Sequence, residues 1–121
     1  MRIIAWIGGI KVNREEFYKK MQSNVEKDLS ISKAKNSDYA SGEDAFQNFR
    51  GVEHWGICSV EEGLMVRISD KMQRISNLLK RDAVVSDESV IDTLSDARNY
   101  LNILQVWLEC KEVEVKEKLR G

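Results

Sequence analysis

The chain has 121 residues, with 19 basic against 20 acidic side chains and a net charge of -1. That length suits one compact domain; 42% hydrophobic and 32% charged residues exclude a disordered chain, and the missing basic excess argues against a dedicated nucleic-acid binder. No apolar run reaches the ~18 residues of a membrane span, and the stretch from Ile3 to Ile7 is too short for the core of a signal peptide; two cysteines, read as reduced thiols, make a cytoplasmic protein the expectation.

Arg2 to Ile7 reads as a short strand or pinned arm closed by the Gly8-Gly9 turn. Asn13, with Glu16 three residues on, has the form of a helix N-cap with its reciprocal partner. The helix it opens is expected to run to about Ile31. Phe17, Met21, Val25 and Leu29 follow at four-residue steps in it, the spacing of a core stripe. Ser32 to Glu43 is polar and reads as the longest loop. Asp44 is placed to cap a second, shorter helix through Trp55, which Gly56 stops.

Ser59 and Glu62 form a second capping-box pattern. The helix after it is expected over Val60 to about Arg81, with Leu64, Ile68, Met72, Ile75 and Leu79 as its apolar seam. A polar break from Asp82 to Asp87 supplies Ser86 or Asp87 as the next cap. The last helix is expected from Glu88 to about Leu119, with Ile91, Leu94, Leu101, Leu104 and Leu108 inward. The chain contains no proline, which suits long uninterrupted helices. The expected fold is all-α, a single helical domain over residues 1–121 built as a bundle of about four helices.

Cys58 and Cys110 are too few and too far apart for a disulfide framework or a CxxC metal site. With one histidine, His54, a zinc site is short of ligands, and any metal is better served by carboxylates. Phe46, Phe49 and Trp55 read as core aromatics before they read as a base-stacking platform.

The most informative polar pattern lies on the last helix. Glu88, Asp92 and Asp96 recur every four residues, and Asn99 returns to the same stripe. Two carboxylates about 4 Å apart repel by roughly 4 kcal/mol at an effective dielectric near 20. An inward row therefore needs a divalent cation, a shared proton or opposing cations, whereas a row facing water needs none. Both readings stand at the level of sequence. The preceding helix carries the complement: Arg67, Lys71 and Arg74 with Asp70, and Glu62 at the border of that stripe. Packed antiparallel on the acidic row, it offers carboxylates for a metal and cations for phosphate. Left exposed, it is an ordinary solvated face.

The runs KNSDYASGEDAFQNFRGVEHWGICSVEEGLMVRISDKMQRISNLL and VSDESVIDTLSDARNYLNIL resemble a phage-associated domain family linked with nucleotide modification. That family is similar to the all-α nucleoside triphosphate pyrophosphatases, the MazG-like and dimeric dUTPase-like group. The resemblance covers roughly Lys35 to Leu104. It implies a helical bundle holding Mg²⁺ between two helices and releasing pyrophosphate from a nucleoside triphosphate in the cytoplasm, the metal helping to activate water. Glu62, Asp70, Glu88, Asp92 and Asp96 are the implied metal ligands, with Glu62, Asp70, Asp92 and Asp96 as the catalytic carboxylates. Arg67, Lys71 and Arg74 are the implied phosphate ligands, and Asp38, Tyr39 and Asn48 the contacts to base or sugar, with Asn99 beside them. A homo-oligomer, dimer or tetramer, is implied too. The chain departs from the group's ExxE and ExxD pairs: Arg67 stands three before Asp70, and Thr93 three before Asp96. Three readings follow: a Mg²⁺-dependent pyrophosphatase, a nucleotide binder without turnover, and a helical interaction protein.

Overall fold

The computed structural model describes residues 9–39, 42–81 and 88–121. The strand or arm expected over Arg2 to Ile7 and the cap expected at Ser86 or Asp87 lie outside the described residues, as do the side chains of Asp38, Tyr39 and Glu88. Among the described residues the chain is all-α, with no strand.

Helix α1 spans Arg14–Tyr39. Its start is the expected one, the Glu16 amide donating to Asn13 Oδ1 at 2.9 Å. Its end is not: the helix continues past Ile31 through most of the segment expected as a loop. That segment holds no glycine or proline before Gly42, and Lys33-Ala34-Lys35 are strong helix formers. Tertiary contacts hold it as well, because Lys35 Nζ donates to Asp96 Oδ1 and Asn36 Nδ2 to the Ala45 carbonyl.

The single helix expected from Asp44 to Trp55 is instead a 3₁₀ turn, Gln47–Phe49, and a four-residue helix α2, Gly51–His54. Asp44 is not the cap of either: the turn starts on Phe46 with no side-chain cap, and Asp44 instead accepts from the Phe46 amide and takes the Arg50 guanidinium at 2.6 Å. Arg50 is thereby bent back to the start of the segment, and Gly51, a poor helix former, follows at the break. Gly56 ends α2 with φ 71°, as its position predicted.

Helix α3, Val60–Leu79, opens on the full Ser59/Glu62 capping box, and α4 is Glu88–Arg120. The two pack antiparallel, with Leu78 against Val90 at one end and Val60 and Leu64 clustered with Trp107 at the other. Phe49 completes that second cluster, and Phe46 meets Trp107 edge-on. The core holds Leu64, Ile68 and Ile75 as expected, with Leu78 in place of Met72 and Leu79, which are exposed. On α4 the buried line is Val90, Thr93, Ala97 and Trp107, while Ile91, Leu101 and Leu108 are exposed and Leu94 and Leu104 half-buried. Trp55 is 78% exposed and so is not core. The largest departure is on α1, whose expected core stripe of Phe17, Met21, Val25 and Leu29 is 48–63% exposed.

Gly63 sits within α3, where glycine ordinarily costs about 1 kcal/mol relative to alanine. Here a Cβ would stand 2.7 Å from Val52 Cγ2, so α2 approaches α3 more closely than any side chain allows. Gly63→Ala is therefore expected to lower the melting temperature, against its helix propensity. An unchanged or raised melting temperature would show that α2 yields at no cost.

Candidate functional site

The antiparallel register of α3 and α4 lays the basic stripe of α3 along the acidic face of α4. Lys71 Nζ lies 3.4 Å from Asp96 Oδ2, and Lys35 Nζ reaches the other oxygen of the same carboxylate at 3.2 Å. One turn further, Arg74 Nε donates to Thr93 Oγ1, whose hydroxyl is itself donated to the Ser89 carbonyl. One turn earlier, the Arg67 guanidinium lies 5.1 Å from the Phe49 ring centre and 5.9 Å from that of Tyr100. Lys71 of α3 and Lys35 of α1 thus meet on one carboxylate of α4, with Arg67 and Arg74 a turn to either side of Lys71.

The expected carboxylates are not gathered in the same way. Asp96 is half-buried and held by two ammonium groups, which is the opposing-cation solution to its charge. Glu62 is turned to its own helix start, accepting from the Ser59 amide. Asp70 and Asp92 are exposed, and Asn99 is half-buried. Among the described residues no three His, Cys, Asp or Glu side chains stand together as a group able to hold a metal ion. A magnesium ion at Asp96 would have to displace Lys35 and Lys71 from it.

A cleft of about 230 Å³ opens beside the stripe, lined among others by Asn48, Val52, Trp55, Gly63 and Arg67. The Oδ1 of Asn48 is buried and accepts no hydrogen bond. An unsatisfied buried acceptor costs about 1–3 kcal/mol, and most such groups in folded proteins find a partner. Asn48 is half-buried and Trp55 exposed, so the cleft has a polar wall and an aromatic lip, with Arg67 between it and Lys71.

Sequence reasoning passed over two polar clusters. Asp28 is buried on α1, bonded to Ser95 and to the Arg98 guanidinium of α4. The Arg98 bond holds its carboxyl below the ordinary range, against the upward push of burial. Glu61 Oε2 takes Lys111 Nζ at 2.7 Å and the Trp107 indole at 3.4 Å. Chiefly through the Lys111 bond, Glu61 is held down to about 2. Both clusters join residues 46 to 70 positions apart, and no local spacing signals such pairs. Lys35 had a local signal: it lies 18 residues, five helical turns, after Phe17 on one face of α1.

Compared with family models, curated proteins and solved structures, the chain has no significant match in any of the three. Among the described residues no helix is long and apolar enough to cross a membrane.

Proposed function

We propose that this chain binds a nucleotide without hydrolysing it, the base end entering the cleft beside Asn48 and the phosphates lying on Arg67, Lys71 and Lys35. The observation that carries this reading is the cleft lined by Asn48 and Arg67, with the cations Lys71 and Lys35 next along the same side. The cleft is smaller than the roughly 300–1,000 Å³ of pockets that swallow a drug-sized ligand, which suits one planar end of a molecule and leaves the remainder outside. Outside are the cations. Arg67 offers a planar fork suited to phosphate and Lys71 a mobile point charge, and a phosphate there competes with Asp96 for Lys71 and Lys35.

Binding is favoured over turnover because Asp96 is neutralised by lysines and Glu62 is occupied at its helix start. The test is calorimetric titration with nucleoside mono-, di- and triphosphates, with and without Mg²⁺, alongside an assay for pyrophosphate. Saturable binding without Mg²⁺ and without pyrophosphate release is expected. Lys71→Ala, which removes a charge-assisted bond of about 1.5–3 kcal/mol, is expected to weaken binding by roughly tenfold or more. Mg²⁺-dependent pyrophosphate release, abolished in Asp92→Asn, would replace this reading with the pyrophosphatase. The absence of binding at millimolar nucleotide would sink both.

A further inference from the structure

Helices α3 and α4 each carry two flanks beside their buried line, and the contacts between them fix which flanks share a side. On α3, Met65 and Met72 fall roughly 70° around the axis from the line of Leu64, Ile68 and Ile75, while Arg67, Lys71 and Arg74 fall on its other side. On α4, the buried line of Thr93, Ala97 and Trp107 is flanked in the same manner, by Leu94, Leu101 and Leu108 on one side and by Asp92, Asp96 and Asn99 on the other. Lys71 meets Asp96. The two polar flanks therefore lie on one side of the helix pair, and the two apolar flanks lie together on the opposite side.

None of the other described elements covers that apolar side. Helix α1 meets Asp96 through Lys35, and it meets Ser95, on the back of α4, through Asp28. Helix α2 packs Val52 against Gly63, and the 3₁₀ turn sets Phe49 beneath Arg67, both on the polar side. Met65, Met72, Leu101 and Leu108 are left 47–54% exposed, with Leu94 half-buried between them and the core. They are spaced by sevens: Met65 and Met72 on α3, and Leu94, Leu101, Leu108 and Val115 on α4. Seven residues is the interval that holds side chains on one seam against a facing helix. Two such seams on neighbouring antiparallel helices form a trough of the shape a third helix fills.

We propose that this trough binds an amphipathic helix of another protein, apolar at heptad spacing and basic along its flanks. Charge on the rim selects those flanks. Glu109 and Glu112 edge the trough on α4, and Glu62 stands on its outer edge on α3, beside Met65. Among the described residues only Glu112 of these three has a cation partner, the exposed Lys116, and such a pair contributes little. Lysine or arginine on the incoming helix meets these carboxylates, whereas an acidic helix meets like charge. The chain's own α1 has a different pitch. Phe17, Met21, Val25 and Leu29 step by four and turn by about 40° at each step, so the α1 of a second copy does not follow a heptad seam. The trough lies opposite the cleft at Gly63 and Arg67, and its occupancy is independent of the nucleotide.

The probes are two synthetic helices of about three heptads with leucine along the seam, one with lysine flanks and one with glutamate flanks. Each carries a fluorophore and is titrated with the whole chain. Anisotropy is expected to show saturable binding of the lysine-flanked helix at about 100 µM or below, and at least roughly tenfold weaker binding of its acidic twin. Met72→Glu on α3 and Leu101→Glu on α4, both at exposed positions, are each expected to weaken binding by about tenfold or more with unchanged helicity by circular dichroism. Glu109→Lys combined with Glu112→Lys is expected to reverse the preference between the two probes. No binding of either probe, equal binding of both, or binding indifferent to Met72→Glu and Leu101→Glu would each overturn the proposal. Light scattering that shows the chain by itself to be a dimer, dissociated by those two substitutions, would overturn it too, because the trough would then belong to a second copy.

Discussion

Leu64→Ala is expected to lower the free energy of unfolding by about 3 kcal/mol, within the 2–5 kcal/mol typical of such truncations. Leu64 is 1% exposed and sits between Val60, Phe49 and Trp107, where α3, the 3₁₀ turn and α4 meet. Three elements of different direction converge on this side chain, so none can close over the space without moving against the other two. The cavity term therefore persists in addition to the lost burial. Met72→Ala is the matched control, since Met72 lies on the same helix two turns away and is more than half exposed. It is expected to cost less than about 1 kcal/mol. Urea midpoints at constant slope read the difference. Equal effects at the two positions would show that the buried face of α3 has been assigned to the wrong side.

The contrast between these two residues also shows what the sequence contained. Caps are local chemistry, and Asn13 and Ser59 with Glu62 accept or exchange the hydrogen bonds their types predicted. Gly56 adopts the positive φ its position required. The all-α class followed from such local rules. The inward side of each helix did not, because periodicity reports that a helix has an apolar face and not which neighbour covers it. On α4 Leu101 and Leu108 are exposed, while the buried line uses Thr93 and Ala97 ahead of Trp107. Small residues there let α3 approach, and they carry little weight in a hydrophobic pattern. On α1 the Phe17 stripe is real, yet this chain alone does not cover it. The polar site divided in the same manner. The cation stripe of Arg67, Lys71 and Arg74 could be read at helical spacing, and its placement against Asp96 followed once α3 and α4 ran antiparallel. Lys35 was missed because its segment was read as a loop, and it supplies the second cation that neutralises Asp96.

Arg98→Met is expected to destabilise the chain by about 2–3 kcal/mol at neutral pH, below the 3–5 kcal/mol of a wholly buried pair because Arg98 is half-exposed. Methionine keeps most of the stem that packs on α1 and removes the charge. The cost arises on the other side: the Asp28 carboxylate, 7% exposed, keeps Ser95 and loses the guanidinium bonded to both its oxygens. The pH dependence separates this cause from lost packing. In the native chain the carboxyl of Asp28 is held below its ordinary value, first by Arg98. Its contribution is thus full above the unfolded value near 3.9 and is lost as pH falls through the lower folded value. In the variant the downward pull of Arg98 is gone and burial still pushes upward, so Asp28 protonates at higher pH than before. The stability gap between the two chains should therefore be widest at neutral pH and close as both carboxyls become protonated. A gap constant from pH 7 to pH 3 would assign the effect to packing alone. Asp28→Asn in the same background completes the argument: with the charge already removed, Arg98→Met should cost much less than it does beside Asp28. Because this cluster pins α1 on α4, the double substitution also reports on the docking of α1.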